Sequence, residues 1–147
     1  MLAHPASPAG SAYTVDACVW VAAFDVADRF HRESAGFLRE AARRDVRLHA
    51  PRLVLLEVRC AIARRSGHAE AGARAESALR AAPFLQLHAM DERLLDTAGE
   101  LGATQRLRAA DALYAACATL HRAPLVTWDV ELLARAGARD PRQGFAR

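Results

Sequence analysis

Four acidic residues stand where a carboxylate needs a specific reason to be. Asp16 and Asp129 each follow a short apolar, β-like run, and Glu57 and Asp111 interrupt apolar stretches. An unpaired buried charge is costly, so several acids directed towards one edge of a core predict a divalent cation held by oxygen ligands. The sequence is therefore that of a candidate metal-dependent enzyme.

Each acid also has a purely structural explanation. Asp16 and Asp129 precede predicted helices and are suited to N-caps, while Glu57 would be explained by solvent exposure or by an arginine partner. Asp111 would be explained by the first turn of a helix or by pairing with Arg108, three residues earlier. The positions of Asp16 and Asp129 after predicted strands favour a metal site, because ligand sites in open α/β sheets lie at the carboxyl ends of strands.

Strands and helices alternate along the chain, which predicts an α/β fold with a mainly parallel sheet. Gly67 and Gly102 are expected to end helices, and the polar run 137–147 gives little support for a fifth strand. The predicted strands cover 13–15, 46–50, 84–88 and 125–127, and the predicted helices cover 17–24, 27–44, 51–65, 69–80, 91–101, 106–120 and 129–136.

Length and composition predict one domain over 13–147, preceded by a flexible tail over 1–12. No apolar run has the length needed to cross a bilayer, so no membrane association is expected. The three cysteines form no C-x-x-C pair, which favours a reducing, cytoplasmic location. All 20 basic residues are arginine and the formal net charge is +3, so gathering four acids at one site would leave a basic surface suited to a polyanion.

Four motifs resemble those of a PIN-domain ribonuclease, and more closely those of the toxin component of bacterial VapBC toxin–antitoxin pairs. They are VDACV at 15–19, LLEV at 55–58, LRAADAL at 107–113 and LVTWD at 125–129. Their order and spacing cover about residues 13–136.

This resemblance implies a three-layer α/β/α PIN-like fold with a short, mainly parallel central sheet. The first and fourth strands would lie side by side and bring Asp16 and Asp129 together, and Glu57 and Asp111 would close the site from neighbouring helices. Glu131 would be a further outer metal ligand, or else a solvated acid in the first turn of a helix.

Two supporting residues also follow from the resemblance. Thr127 matches a family hydroxyl that orients an acid or a water. Cys18 stands where relatives usually have Ser, Thr or Asn, and because a thiol is a weaker hydrogen-bond donor, poorer support of Asp16 is expected. Cys18 is not expected to be a nucleophile, since no histidine stands at a nearby motif position.

The implied activity is hydrolysis of RNA phosphodiesters to 5′-phosphate and 3′-hydroxyl ends, with one or two Mg²⁺ or Mn²⁺ ions held by the four acids. The implied partners are RNA, a cognate antitoxin protein and a second copy of the chain in a homodimer. Arginines are the candidate RNA contacts, and Arg108 is in addition near the place where an antitoxin would insert. These candidates are Arg43, Arg44, Arg64, Arg65, Arg106 and Arg108.

Two other functions stay open at this point. The chain could be an RNA-processing PIN nuclease without an antitoxin, which the absence of an upstream gene for a small DNA-binding protein would favour. It could also be a non-catalytic PIN-like RNA-binding or scaffold protein, although a decayed site is expected to lose its acids first. A phosphatase with an aspartyl nucleophile would need a second Asp at the position of Cys18, and that option is set aside.

Overall fold

A computed structural model describes residues 12–145 of the chain. Four strands alternate with seven helices, and one 3₁₀ turn follows at Pro141–Gln143. The strands are β1 (Ala12–Val15), β2 (Arg47–Pro51), β3 (Leu85–His88) and β4 (Leu125–Val126). The helices are α1 (Ala17–Phe24), α2 (His31–Arg43), α3 (Leu53–Ser66), α4 (Ala69–Ala81), α5 (Glu92–Gln105), α6 (Ala109–His121) and α7 (Val130–Arg135).

The sheet has the strand order β3-β2-β1-β4, and every pairing in it is parallel. The chain moves outward from β1 to β3 and then returns to β4 on the other side of β1. Because parallel crossovers are right-handed, this reversal places α1 to α4 on one face and α5 and α6 on the other. The packing agrees, since α3 contacts α4 and α6 contacts β1, β2 and α5. The predicted three-layer α/β/α fold is confirmed.

The core explains why the strands carry such continuous apolar sequence. Three of the four residues of β1 and four of the five of β2 are buried, as expected for a parallel sheet covered on both faces. Helices α3 and α4 approach closely at Gly72, where a Cβ would collide with the Arg59 carbonyl oxygen. No helix within residues 12–145 is long and apolar enough to cross a membrane.

Several element boundaries differ from the sequence prediction. Strand β1 begins at Ala12, the last residue of the predicted tail, and residues 1–11 lie outside the described part. Helix α2 begins at His31 rather than near residue 27, because the carboxylates of Asp25 and Asp28 each accept a bond from the backbone two residues on and hold a turn.

The two predicted glycine stops have different outcomes. Gly67 ends α3 in the left-handed conformation with φ 75°, as expected. Gly102 does not end α5, which continues to Gln105 and is closed by Arg106 at φ 57°. Gly102 instead permits close packing on α6, since a Cβ there would lie 3.2 Å from the Cβ of Ala112. Pro51, predicted to begin a helix, is the last residue of β2.

Candidate active site

The four predicted acids line one cleft of about 560 Å³ at the carboxyl end of the sheet. Asp16 directly follows β1, and its backbone N–H donates to the Val126 carbonyl at 3.0 Å, which fixes it beside the end of β4. Asp129 begins α7 after β4, while Glu57 comes from α3 and Asp111 from the first turn of α6. This is the crevice where connections leave adjacent strands in opposite directions, the usual ligand position in such sheets.

Asp16 does not act as a helix cap, although it occupies the N-cap position of α1. Its buried carboxylate instead accepts hydrogen bonds from the Thr127 hydroxyl at 2.6 Å and the Cys18 thiol at 3.2 Å. Burial raises the pKa of Asp16, and the nearby charge of Asp111 adds to this, while the two hydrogen bonds act in the opposite direction. Within residues 12–145, the side chains that donate hydrogen bonds to this carboxylate are therefore neutral.

Asp129 differs from Asp16 because it does cap its helix. One carboxylate oxygen accepts from the backbone N–H groups of Glu131 and Leu132, at 2.9 and 3.1 Å. The other oxygen lies 3.3 Å from the Arg108 guanidinium. The capping explanation is thus correct for Asp129. Its second carboxylate oxygen contacts Arg108, which also contacts Asp111.

Cys18 takes the place of a hydroxyl donor in this network. Its sulfur accepts from the Trp128 backbone N–H at 3.3 Å and lies 3.4 Å from the Thr127 hydroxyl. Burial, together with the charge of Asp16, raises the pKa of the thiol. A thiol that stays protonated can donate a hydrogen bond and is a poor nucleophile.

Glu57 is half-buried, and its hydrogen-bond partner is a tyrosine rather than an arginine. The Tyr114 hydroxyl donates to one of its carboxylate oxygens at 2.8 Å. Burial raises the pKa of Glu57, the Tyr114 bond opposes the shift, and the charges of Asp16 and Asp111 add to it. Tyr114 was not predicted from the sequence, although it lies three residues after Asp111 on α6, a spacing that places both on one helix face.

Arg108 joins the two remaining acids. Its guanidinium donates to Asp111 at 3.0 Å and contacts Asp129 at 3.3 Å, so the proposed pairing of Arg108 with Asp111 is present. The Arg108 side chain is 70% exposed, whereas the two carboxylates are only 14% and 26% exposed. A largely exposed cation thus lies between two more deeply buried anions.

The donor set fits a hard divalent cation in ligand type, but no three of these carboxylates bring their oxygens within 4.8 Å of one another, so ligation would require the side chains to move closer together. All four side chains offer carboxylate oxygens, the ligand type that Mg²⁺ and Mn²⁺ prefer. The raised pKa values of Asp16 and Glu57 arise partly from the charge of Asp111, so negative charge in the cleft is incompletely balanced. Arg108 supplies part of the missing positive charge.

The weaker sequence candidates lie in different places. Glu131 is outside the residues that line the cleft, and its side chain is half-exposed, 3.9 Å from Arg135. Arg65 does line the cleft, but it is held by Asp25 and Asp28 at 3.0 and 2.7 Å. Arg64 is exposed and does not line the cleft.

An aromatic stack at the cleft was not predicted from the sequence. The rings of Phe30 and Trp128 are parallel with centroids 4.0 Å apart, and both line the cleft. Arg29 lies over Phe30 at 4.5 Å and Arg142 over Trp128 at 5.2 Å. The position of Trp128 between Thr127 and Asp129 was a usable signal, whereas Phe30 is 98 positions away and gave none.

The chain matches the PIN domain family over residues 13–138 and belongs to that family. No curated protein sequence matches it. Among solved structures, it is similar to the Mycobacterium tuberculosis toxin VapC20, described as cleaving the sarcin–ricin loop, with 23% identity, TM-score 0.72 and coverage of 87% of this chain and 97% of that one.

Two further solved structures are toxin–antitoxin assemblies. One is VapBC2 from Rickettsia felis bound to a DNA fragment from its promoter, with 16% identity, TM-score 0.68 and coverage of 92% of this chain and 99% of that one. The other is a toxin–antitoxin complex from Klebsiella pneumoniae, with 18% identity, TM-score 0.63 and coverage of 88% and 97%. At these identities the likeness establishes the fold.

Proposed function

We propose that this chain is a metal-dependent ribonuclease and the toxin of a toxin–antitoxin pair. The observation that carries the proposal is the convergence of Asp16, Glu57, Asp111 and Asp129 on one cleft in a member of the PIN domain family. Toxin function is supported by the fold shared with VapC20 and with the two toxin–antitoxin complexes.

The four carboxylates are the residues that would hold Mg²⁺ or Mn²⁺. When bound, such an ion activates water for attack on a phosphodiester and offsets the charge that develops on the leaving oxygen. The protein's own contribution is to keep the ligands in position before the ion arrives. Thr127 and Cys18 orient Asp16, and Tyr114 orients Glu57.

Glu57 is the group we assign to accept the proton of the attacking water. Glu57 lies at the cleft wall with partial exposure, so its carboxylate can contact a water in the cleft. Asp16 is buried, and its carboxylate already accepts two side-chain hydrogen bonds.

RNA would be held by contacts of two kinds. The outer faces of the Phe30–Trp128 stack are covered by Arg29 and Arg142, so an unpaired base would stack there by displacing one of the two guanidinium groups, a contact that tolerates different sequences. Arg29, which lies over the same stack and lines the cleft, would bind backbone phosphate. Arg65 is a weaker phosphate contact because Asp25 and Asp28 already neutralise it.

An antitoxin and a second copy of the chain are the proposed protein partners. Two exposed apolar side chains adjoin the acids in sequence: Leu56, 59% exposed, precedes Glu57, and Val130, 76% exposed, follows Asp129. A protein segment that covered these side chains would lie next to two of the acids that line the cleft. Cytoplasmic location remains a prediction from cysteine usage.

The nuclease is tested with purified protein on a mixed RNA pool that includes a sarcin–ricin loop fragment. Cleavage is measured with Mn²⁺ or Mg²⁺ and again with EDTA, and the cut ends are mapped. We expect metal-dependent cuts with 5′-phosphates that disappear in Asp111→Asn and persist in the control Asp96→Asn, which changes an exposed acid on α5. RNA binding without cleavage by folded, antitoxin-free protein would favour the scaffold alternative.

The toxin assignment needs a separate experiment. Induced expression in a bacterial host should arrest growth with the wild-type chain and not with Asp111→Asn. Co-expression of an upstream gene that encodes a small DNA-binding protein should restore growth. Cleavage in vitro combined with normal growth would favour an RNA-processing nuclease that has no antitoxin.

A further inference from the structure

We propose that His49, His88 and His121 form a second metal site, specific for a borderline transition-metal cation of the Zn²⁺ class and structural in role. Each of the three offers one ring nitrogen, and these nitrogens all lie within 4.8 Å of one another. Within residues 12–145, no other group of three or more His, Cys, Asp or Glu side chains meets this condition. We call these residues the histidine cluster.

Three separate elements supply the histidine cluster. His49 is in β2, His88 is the last residue of β3, and His121 is the last residue of α6. Since His121 follows Asp111 by ten residues on one helix, the 1.5 Å rise per residue separates the two positions by about 15 Å. The histidine cluster is therefore distinct from the acidic cleft.

The distances between the rings are already short. His49 Nδ1 lies 2.7 Å from His88 Nε2, so one nitrogen donates its proton to the other, and both can bind an ion only after this hydrogen bond is broken and the donating ring changes tautomer. The His88 and His121 rings stack with centroids 3.7 Å apart. Ligation requires the lone pairs to converge, so His88 and His121 must rotate. Neither is fully buried, which leaves room for that rotation.

The electrostatic setting keeps the imidazoles neutral. Burial lowers the pKa of His49 to about 4, with contributions from His88, His121 and Arg47, and burial also lowers the pKa values of His88 and His121. Metals bind the unprotonated ring, so the cluster is in the ligand state at neutral pH. Arg47 and Arg93 place positive charge nearby, but both are exposed and can turn into solvent.

The ligand chemistry selects a different ion from that of the acidic cleft. Imidazole suits Zn²⁺, Ni²⁺, Cu²⁺ and Co²⁺, whereas carboxylate suits Mg²⁺ and Mn²⁺. Three imidazoles supply three of the four ligands of a tetrahedral ion, and water would have to complete the coordination of a structural ion. An ion bound there would connect the edge strand β3 to β2 and α6, which is a stabilising role.

The test uses tag-free, EDTA-treated full-length protein titrated with Co²⁺ in the presence of excess Mg²⁺. Binding is followed by visible absorption of Co²⁺, by displacement with Zn²⁺, and by the unfolding temperature with and without Zn²⁺. We expect one equivalent of Co²⁺, displaced by Zn²⁺, and a higher unfolding temperature when Zn²⁺ is bound, because binding to the folded state stabilises it.

The variants His88→Gln and His121→Gln should each weaken Co²⁺ binding by at least roughly tenfold, since even outer-sphere partners contribute that much. His68→Gln, a matched change of an exposed histidine at the start of α4, and Asp111→Asn should bind as the wild type does. No binding to the wild type, wild-type affinity in both cluster variants, or loss confined to Asp111→Asn would overturn the proposal and leave the three rings as a packing contact.

Discussion

Helix α6 connects two clusters of ionisable groups that respond to burial in opposite ways. Near its first turn, Asp111 adds to the charge that raises the pKa values of Asp16 and Glu57. At its last residue, His121 is part of a cluster in which the pKa of every histidine is lowered. In both places burial favours the neutral form, but that form is protonated for an acid and deprotonated for a base.

The difference determines what a metal ion would do in each cluster. In the acidic cleft a cation would replace the missing positive charge, now supplied in part by Arg108. In the histidine cluster a cation would use lone pairs that are already unprotonated. The ligand type alone would thus direct a hard, catalytic ion to the acidic cleft and a borderline, stabilising ion to the histidine cluster.

The largest expected effect is that of Asp16→Asn, which should lower the RNA cleavage rate by at least roughly a hundredfold, as for removal of one key transition-state group. The same change should raise the unfolding temperature of the metal-free protein. A carboxyl with a raised folded-state pKa contributes stability below its unfolded pKa and loses it as pH rises, so its charge is unfavourable at neutral pH. Cleavage assays and thermal melts in EDTA would measure both effects.

Asp96→Asn is the control for this change, since Asp96 is exposed on α5. It should alter neither rate nor unfolding temperature. A lower unfolding temperature for metal-free Asp16→Asn would show that the hydrogen bonds from Thr127 and Cys18 outweigh the cost of burying the charge.

The acidic cleft was predictable from the sequence because its acids lie in local motifs. Asp16 and Asp129 follow apolar strands, and the parallel α/β order brings strand ends to one edge. Glu57 was predictable because few positions on its helix are polar. The sequence did not predict that the two residues differ in their hydrogen bonds: the Asp129 side chain caps a helix and the Asp16 side chain does not.

The histidine cluster could not be predicted, because its members share no motif. His49, His88 and His121 are 39 and 33 positions apart, and only the strand register and the end of α6 bring them together. Helix α5 was predicted to end at residue 101 but continues to Gln105, and this difference also depends on tertiary packing. Gly102 looks like a stop in sequence, but packing against Ala112 uses its missing side chain inside the helix.

Removing the hydroxyl that holds Glu57 should have the next largest effect. Tyr114→Phe should lower the cleavage rate by about tenfold, the lower end of what positioning of a metal-site ligand contributes. Because the Tyr114 bond opposes the raised pKa of Glu57, its loss should raise that pKa further and move the acid limb of the pH–rate profile to higher pH. A lower rate with an unmoved acid limb would mean that Tyr114 only supports packing.

A smaller effect is expected from Arg108→Ala. The Arg108 guanidinium occupies carboxylate oxygens that a cation would need, and an exposed ion pair of this kind is weak. The half-saturating Mn²⁺ concentration for cleavage should therefore fall, but only modestly. Arg39→Ala, at an exposed arginine on α2, should leave it unchanged. An increase in the required Mn²⁺ would contradict competition and indicate that Arg108 binds RNA.

The smallest effect concerns the pH dependence of stability without metal. A base with a lowered folded-state pKa contributes stability above its unfolded value near 6.5 and loses it as pH falls, so His49 should lower the unfolding temperature by a few degrees between pH 6.5 and about 4. His88, His121, Arg47 and Arg93 all place positive charge near the cluster and reinforce the trend. Asp16 and Glu57 act oppositely, since protonation relieves their buried charge.

The two trends can be separated by variants. In an Asp16→Asn background the fall with decreasing pH should become steeper, because one opposing group is removed. In His49→Gln the fall of the unfolding temperature with decreasing pH should be smaller, even if the protein is less stable at every pH. His68→Gln should keep the wild-type slope. Thermal melts in EDTA across this range measure the slopes. Equal slopes in all variants would mean that burial does not set the proton affinity of either cluster, and the contrast between the two ends of α6 would fail.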